Sequence, residues 1–271
     1  MSDQEKISID DLIVQTLEAI NNTYSSENPV SGEAYFSTEK HAGDFRIVFP
    51  VYYDENGKPK NTDNVEDKIR VSEQEARFMF ISVLESKHQN KYKYAIEVPT
   101  ERRYSFYSSK SEKGEKGEKE KPIINNDGRS ASADVCLYDM SDPPIKQYIE
   151  FKALNGEQSV ITKDFIKLLY DIGDDSKPNY FVHILRKTVD QDNSIDSVLD
   201  KYKKALYYLT KEYPSVYENK YDNDRSLAQR PLIIYLYVLE DENYYRYDIC
   251  KNSNYESLLK VKEPLSFRMK R

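Results

Sequence analysis

The chain has few of the residues that mark disulfide-rich, zinc-binding or membrane proteins. Two cysteines and three histidines in 271 residues provide no disulfide framework and no ligand cluster for structural zinc. We expect Cys136 and Cys250 to be small buried apolar residues.

The longest apolar runs, such as 231–239, are too short to cross a bilayer, and the first residues lack the basic-then-apolar order of a secretion signal. These absences predict a cytoplasmic protein without a membrane partner.

The patterns of several common enzyme classes are also missing. The sequence contains no GxGxxG, GxxxxGK[ST], HExxH or GxSxG pattern. Nothing therefore indicates dinucleotide binding, ATP use, a zinc protease or a serine hydrolase.

The charge balance is acidic, with a net charge of −7 and a mean hydropathy of −0.81. This total weighs against nucleic-acid binding, because duplex affinity comes largely from Lys and Arg side chains that neutralise phosphates. A carboxylate-rich metal site inside a locally basic cleft is nevertheless compatible with a negative total.

The first quarter of the chain predicts an accessory region at 1–66, with a helix at 8–20 and one or two short strands in "DFRIVFPVYY". A second helix begins after Ser72, a predicted N-cap, with Glu75 at the capping-box position. A long strand then bends at Pro99. The run at 110–121 holds almost no apolar residues and predicts a mobile charged loop.

The remainder, 67–271, predicts one domain in which strands and helices alternate. "SADVCLYD" and "QYIEFKAL" are predicted to be paired strands joined by the turn-rich "MSDPPIK". A helix around 163–172, a strand from 179, a helix from 194 and a strand from 231 follow. The fold class expected from this order is α/β, a three-layer α/β/α sandwich around a mixed sheet.

Charged residues occupy one face of the two paired strands. Because residues two apart on a strand share a face, Glu150 and Lys152 project together, and Asp134 belongs to the corresponding face of the preceding strand. Antiparallel pairing would bring Asp134 close to Glu150. Two partly buried carboxylates lose hydration and repel each other, and a hard cation such as Mg²⁺ would offset both costs. The alternative is a surface Glu–Lys pair with an unrelated Asp.

Fifteen residues lie between Asp134 in "SADVCLYD" and Glu150 in "IEFK". These two segments resemble the D…(D/E)xK signature of the restriction-endonuclease-like PD-(D/E)xK superfamily. The surrounding order of helix, strand, Asp-strand, turn, ExK-strand, helix and strand, from roughly 72 to 188, resembles the core of that superfamily. The leading Pro of the signature is replaced by Ala133.

The resemblance implies roles for individual residues. Asp134 and Glu150 would bind Mg²⁺, for which Mn²⁺ would substitute, with the backbone carbonyl of Phe151 as a further ligand. Lys152 would orient or activate the attacking water and stabilise charge on the phosphoryl oxygens. Many members place a Glu on the preceding helix, and Glu75 is the candidate here, although its capping-box position explains it without catalysis.

Four basic residues are candidates for nucleic-acid contact: Arg129 before the Asp-strand, Lys163 at the start of the next helix, and Arg102 and Arg103 beside aromatic residues. Solvated surface positions would explain Arg129 and Lys163 equally well, and a strand with one solvated face is the preferred explanation for Arg102 and Arg103. His183 lies in an apolar strand, where a hydrogen-bonded core histidine is expected.

Two functions remain open from the sequence. The first is a Mg²⁺-dependent nuclease, expected to be a DNA endonuclease of restriction, phage defence or repair, with RNA as another substrate and with a homodimer or a partner subunit compatible with the sequence. The second is a catalytically silent nuclease-like module that binds nucleic acid or assembles a larger complex, since a fold does not imply an activity.

Overall fold

The structure is a computed structural model that describes residues 8–24, 29–30, 34–35, 47, 49–50, 53–58, 72–88, 91–105, 123–124, 128–171, 176–185, 191–212, 230–239, 243–250, 259 and 263–266. No helix in these ranges is long and apolar enough to cross a membrane. The charged run at 110–121 lies outside them. The elements are α1 (Ile9–Tyr24), β1 (Pro29–Val30), β2 (Ala34–Tyr35), β3 (Phe49–Pro50), α2 (Glu73–His88), β4 (Lys93–Ser105), β5 (Ile123–Ile124), β6 (Arg129–Tyr138), β7 (Lys146–Ala153), α3 (Gln158–Tyr170), β8 (Asn179–Leu185), α4 (Gln191–Tyr207) with a π-helical turn at Tyr208–Glu212, β9 (Leu232–Val238), β10 (Asn243–Ile249) and β11 (Leu265–Ser266).

Eight of the described strands form one mixed sheet in the order β11-β10-β9-β8-β7-β6-β4-β5. The strands β4, β6 and β7 pair antiparallel, whereas β7, β8 and β9 are parallel neighbours. Parallel pairing needs a crossover, which α3 provides between β7 and β8 and α4 provides between β8 and β9. The fold is therefore mixed α/β, as the alternation of elements predicted.

Helices cover both faces of the sheet, because alternate side chains of the central strands are apolar on both sides. On one face Phe151 packs against Phe80 of α2, with ring centroids 5.7 Å apart. On the other face Phe181 packs against Phe165 of α3 at 5.0 Å. The two contacts hold α2 and α3 on opposite sides of β7 and β8, so that both helices lie next to the strand that carries Glu150 and Lys152.

Helix α1 belongs to the same hydrophobic core as the sheet. Its buried side chains cluster with those of α2 and of β6 to β9. Polar contacts add to this packing: Tyr235 and Tyr180 donate to the carboxylate of Asp10, and the Tyr237 hydroxyl donates to Asn21 at 2.8 Å. The helix that we assigned to an accessory region at 1–66 thus forms part of one of the helical layers.

Some local predictions need correction. The sequence predicts Phe78 on the apolar stripe of α2, but the structure buries Met79 and Phe80 there and leaves Phe78 38% exposed. Cys136 is buried as expected, but Cys250 is exposed. The sequence reading also gave no element for β10, a strand next to the sheet edge in which Tyr and charged residues mix.

Candidate functional site

The candidate site lies where β6 and β7 stop pairing. Their register runs from Tyr138↔Lys146 to Val135↔Ile149. One more step would place Asp134 opposite Glu150, but at this point the backbone N–H of Phe151 donates to Asp134 Oδ2 at 2.7 Å. Glu150 lies on the face that α3 covers, because Tyr148 belongs to the core on that side, whereas Ile149 and Phe151 belong to the core on the α2 side. In β6 this alternation breaks at Asp134, since Ala133 belongs to the core on the α3 side and Val135 to the core on the α2 side.

Glu150 is held by a lysine from that helix. Its side chain is 5% exposed, and its Oε1 lies 2.8 Å from the ammonium of Lys167. The same ammonium lies 3.1 Å from Asp164 Oδ1 and donates to the carbonyl of Ser132 at 3.0 Å. Lys167 therefore has partners from three elements: a hydrogen bond to the Ser132 carbonyl of β6 and ion pairs with Glu150 of β7 and Asp164 of α3.

Lys152 continues the same network on its other side. Its ammonium lies 3.5 Å from Asp164 Oδ2 and 2.7 Å from Oε1 of Glu73, at the start of α2. Asp164 thus stands between the two lysines. Glu73 is 44% exposed, so the network reaches solvent beside Lys152.

Asp134 has a cationic neighbour, Arg77, on α2. Arg77 Nη1 lies 3.5 Å from Asp134 Oδ1 and also forms an ion pair with Glu97 of β4. Glu97 in turn accepts a hydrogen bond from the Ser132 hydroxyl. Asp134 remains 21% exposed and Glu97 55% exposed, so this side of the site is also open to solvent.

Burial and charge displace several pKa values. Burial raises the pKa of Glu150 well above its ordinary value, Asp164 and Asp134 add to the rise, and Lys167 opposes it. Burial also raises the pKa of Asp134, against the effect of the Phe151 N–H. For both lysines burial would lower the pKa, but neighbouring carboxylates raise it overall, chiefly Glu150 for Lys167 and Asp164 for Lys152. Both amines therefore stay protonated.

Two residues beside the site have a backbone conformation that favours glycine. Glu97 has φ of 51° and Leu154 has φ of 64°, and they are the non-glycine residues with positive φ in the described ranges. Glu97 lies on β4, opposite Asp134 of β6. Leu154 follows Lys152 by two residues. Such strained positions concentrate at functional sites, because the surrounding structure has to stabilise them.

The structure connects Glu150 to Lys152 through Lys167 and Asp164, whereas Asp134 is joined to β7 through the Phe151 N–H. Glu75, in contrast, accepts hydrogen bonds from the N–H and the hydroxyl of Ser72, as in a capping box. The carboxylate of α2 that reaches Lys152 is that of Glu73.

The candidate basic contacts lie at varying distances from this group. Arg103 pairs with Ser130, and Tyr104 pairs with Arg129, at the end of the β4–β6 ladder. Arg129 is five residues from Asp134, about 17 Å along the strand. Arg102 donates its backbone N–H to Asp171 at 2.9 Å, and Lys163 precedes Asp164 on α3.

The sequence reading did not identify Asp164 and Lys167 as site residues. The sequence predicts α3 from its apolar residues, among them Phe165, Leu168 and Leu169, and assigns no role to its charged residues other than Lys163. In the structure both Asp164 and Lys167 are buried among those apolar residues. The sequence contains a signal for this burial. Asp164 and Lys167 carry opposite charges three residues apart, among the apolar positions of a helix that connects two buried strands.

The donors at this site are of the kind that a hard divalent cation prefers. Asp134 and Glu150 offer carboxylate oxygens, and the carbonyl of Phe151 faces the same side of β7 as its N–H, toward Asp134. Glu73, Glu97 and Asp164 bring the number of carboxylates to five, against three cationic side chains, Arg77, Lys152 and Lys167. These donor types are those that Mg²⁺ prefers, but in the described part of the chain no group of three or more His, Cys, Asp or Glu side chains is arranged to hold a metal ion.

Comparisons with protein-family models, with curated proteins and with solved structures found no match. The assignment to the restriction-endonuclease-like superfamily therefore stays a prediction from the sequence.

Proposed function

We propose that this chain is a divalent-metal-dependent nuclease with a restriction-endonuclease-like core that hydrolyses phosphodiester bonds, with DNA as the first expected substrate. The observation that carries the proposal is the junction of β6 and β7, where Asp134 bonds the Phe151 N–H and Glu150 and Lys152 lie beside it. The order α2, β4, β6, β7, α3, β8, with β7 and β8 parallel, supports the same assignment.

Asp134, Glu150 and the Phe151 carbonyl would hold the cation, Mg²⁺ or Mn²⁺. When bound, the cation supplies Lewis-acid polarisation of a phosphoryl oxygen. The Phe151 N–H fixes the orientation of Asp134, and Lys167 fixes that of Glu150. The chain thus holds both acids in place before any ligand arrives, which reduces the entropy cost of assembling the site.

Lys152 would contact the substrate phosphate. Within the described residues its ammonium forms ion pairs with Glu73 and Asp164. An N–H of this ammonium would donate to a phosphoryl oxygen or to the attacking water. Because its pKa is raised, the amine acts as a charged donor that stabilises developing negative charge, and proton abstraction by this group is disfavoured.

A cleavage panel tests this proposal. Purified protein with Mg²⁺ or Mn²⁺ is incubated with supercoiled, linear and single-stranded DNA and with RNA, and EDTA serves as the metal-free control. We expect cleavage of DNA that EDTA abolishes. The variants Asp134→Ala and Lys152→Ala should reduce the rate by about 100-fold or more, because each removes a charge that stabilises the transition state.

Lys146→Ala is the matched control, since Lys146 lies on the same strand and pairs at the surface with Glu101. It should cleave at the wild-type rate. Wild-type protein that leaves every substrate intact with both metals would contradict the enzymatic proposal, and so would a fully active Lys152→Ala variant.

A catalytically silent module is the second candidate function, and one observation favours it. Glu150 is nearly inaccessible and already has Lys167 as its counter-ion, so the acids are balanced without a metal. A net charge of −7 also suits assembly with another protein. Calorimetric titration with Mn²⁺ separates the two candidates: binding that Asp134→Asn and Glu150→Gln abolish supports the nuclease, and absence of binding supports the silent module.

A further inference from the structure

Two residues of α3 connect the charged groups that the proposed reaction would use. Lys167 contacts Glu150, and Asp164 contacts both Lys167 and Lys152. Both α3 side chains are 10% exposed, although they are ionisable. Buried charges of this kind are costly unless each has a partner, so the four residues depend on one another.

The three acceptors of Lys167 come from three elements, which separates its role from that of Lys152. Its partners are Glu150 on β7, Asp164 on α3 and the Ser132 carbonyl on β6, the strand that carries Asp134. The Lys167 side chain is 10% exposed and is enclosed by these protein groups, so it is suited to hold them in position. Lys152 lies next to Glu73, which is 44% exposed, and can reach a ligand.

We propose that Asp164 and Lys167 are positioning residues of the candidate site: Lys167 fixes the carboxylate of Glu150 for the cation, and Asp164 fixes the ammonium of Lys152 for the phosphate. This inference depends on the proposed nuclease function and deepens it. It adds a helix to a site that the sequence assigned to two strands. The helix is held in register with the sheet by the packing of Phe165 on Phe181.

The network itself is tested in the metal-free protein. Spectra that select ¹⁵N-labelled NH₃⁺ groups should show Lys152 and Lys167, because both amines are buried and exchange slowly, and Lys152→Arg and Lys167→Arg assign the two signals by removing each in turn. Asp164→Asn should shift both signals, since one carboxylate contacts both amines. Asp200→Asn is the matched control, because Asp200 forms an exposed helical pair with Lys204, and it should shift neither. A spectrum in which Asp164→Asn leaves either signal in place overturns the assignment.

The positioning role is tested by Mn²⁺ calorimetry. Lys167→Met should weaken Mn²⁺ binding at least tenfold, because Glu150 loses the partner that fixes it, and Lys167→Arg should restore part of the affinity. Unchanged or tighter binding in Lys167→Met overturns the positioning role, since tighter binding would make Lys167 a competitor of the cation. Circular dichroism confirms the fold of each variant, and if Lys167→Met does not fold, Lys167→Arg and Asp164→Asn give the decisive comparison.

Kinetics give a further readout that a merely structural residue would not produce. In the active enzyme Asp164→Asn should lower kcat and leave KM for DNA unchanged, because the substrate does not touch Asp164. A rise in KM with unchanged kcat overturns the role assigned to Asp164.

Failure of the proposed function would look different from failure of this inference. Wild-type protein that neither binds Mn²⁺ nor cleaves nucleic acid, while Asp164→Asn still shifts both lysine signals, would show an ion-pair network with a structural role. Both proposals would then be overturned, but for a reason distinct from a missing network.

Discussion

His183 lies at the centre of the sheet with both ring nitrogens bonded. Nε2 is 2.5 Å from the carbonyl of Leu154, and Nδ1 is 2.6 Å from the Tyr202 hydroxyl. Because a carbonyl only accepts, Nε2 carries the proton and the neutral ring satisfies both contacts. Burial lowers the pKa of His183 from 6.5 to about 4. The residue is a core histidine, as its position in an apolar strand predicted.

This displaced pKa predicts a loss of stability in mild acid. Between pH 6.5 and about 4 the unfolded chain binds a proton on His183 that the folded chain does not bind, so the free energy of unfolding falls as the pH falls through this window. The contribution reaches about 3 kcal/mol at its largest. Chemical denaturation at several pH values measures it.

The His183→Gln variant isolates this contribution from that of the carboxylates. Gln keeps a donor and an acceptor but does not titrate, so the stability curve of the variant should be flatter between pH 6.5 and 4. Parallel curves for the two proteins would show that His183 does not take part.

Helix α2 shows how one element can serve two purposes at its N-terminus. Ser72 and Glu75 form the capping box, and Glu73 points to Lys152. Since neighbouring helical residues project about a quarter turn or more apart, the structural and the candidate functional carboxylate are different residues of the same turn.

Glu75→Ala should therefore reduce stability without affecting the site. Loss of the capping interaction is expected to cost about 1 kcal/mol. Thermal or denaturant unfolding measures the loss, and Gln74→Ala, an exposed neighbour in the same turn, is the control. Cleavage and Mn²⁺ affinity should stay at wild-type values, and a large loss of activity with unchanged stability would restore Glu75 as a site residue.

The long strand β4 illustrates what local sequence signals provide at the scale of an element. Pro99 predicted a bend, and the pairing with β6 does shift between Pro99 and Arg103. The left-handed conformation of Glu97, two residues earlier, carried no sequence signal, because Glu rarely adopts it. Its neighbours Arg77 and Ser132 come from other elements, and only the assembled sheet brings them together.

At the scale of the whole molecule, a substitution in α1 shows whether this helix unfolds together with the sheet. Leu17 is fully buried in the core that α1 shares with the sheet. Leu17→Ala should lower the free energy of unfolding by about 2–5 kcal/mol, as expected for a buried leucine. Denaturant unfolding should show one transition shifted as a whole. Leu265→Ala, at a position 45% exposed, is the control and should change stability by less than about 0.5 kcal/mol.

An unfolding curve with two steps, of which Leu17→Ala affects one, would contradict this expectation. It would mean that α1 unfolds separately and that 1–66 behaves as an accessory region after all.

The sequence by itself determined the alternation of strands and helices and the shared face of Glu150 and Lys152. These properties are local: a period of two places Glu150 and Lys152 together, and the short "DPP" turn makes β6 and β7 neighbours. The grouping of Asp134 with them is a prediction from that pairing.

Only the tertiary structure decided which partners that group has. From the sequence, the two carboxylates have the Lys152 ammonium beside them and suggest a metal, whereas the structure adds Lys167 as a partner of Glu150, and Asp164 and Glu73 as partners of Lys152. The residue types in a sequence do not distinguish a buried ion pair from two solvated charges. The difference arises when Phe80 and Phe165 pack their helices onto opposite faces of the sheet, because that packing fixes which charged side chains lose water and must find one another.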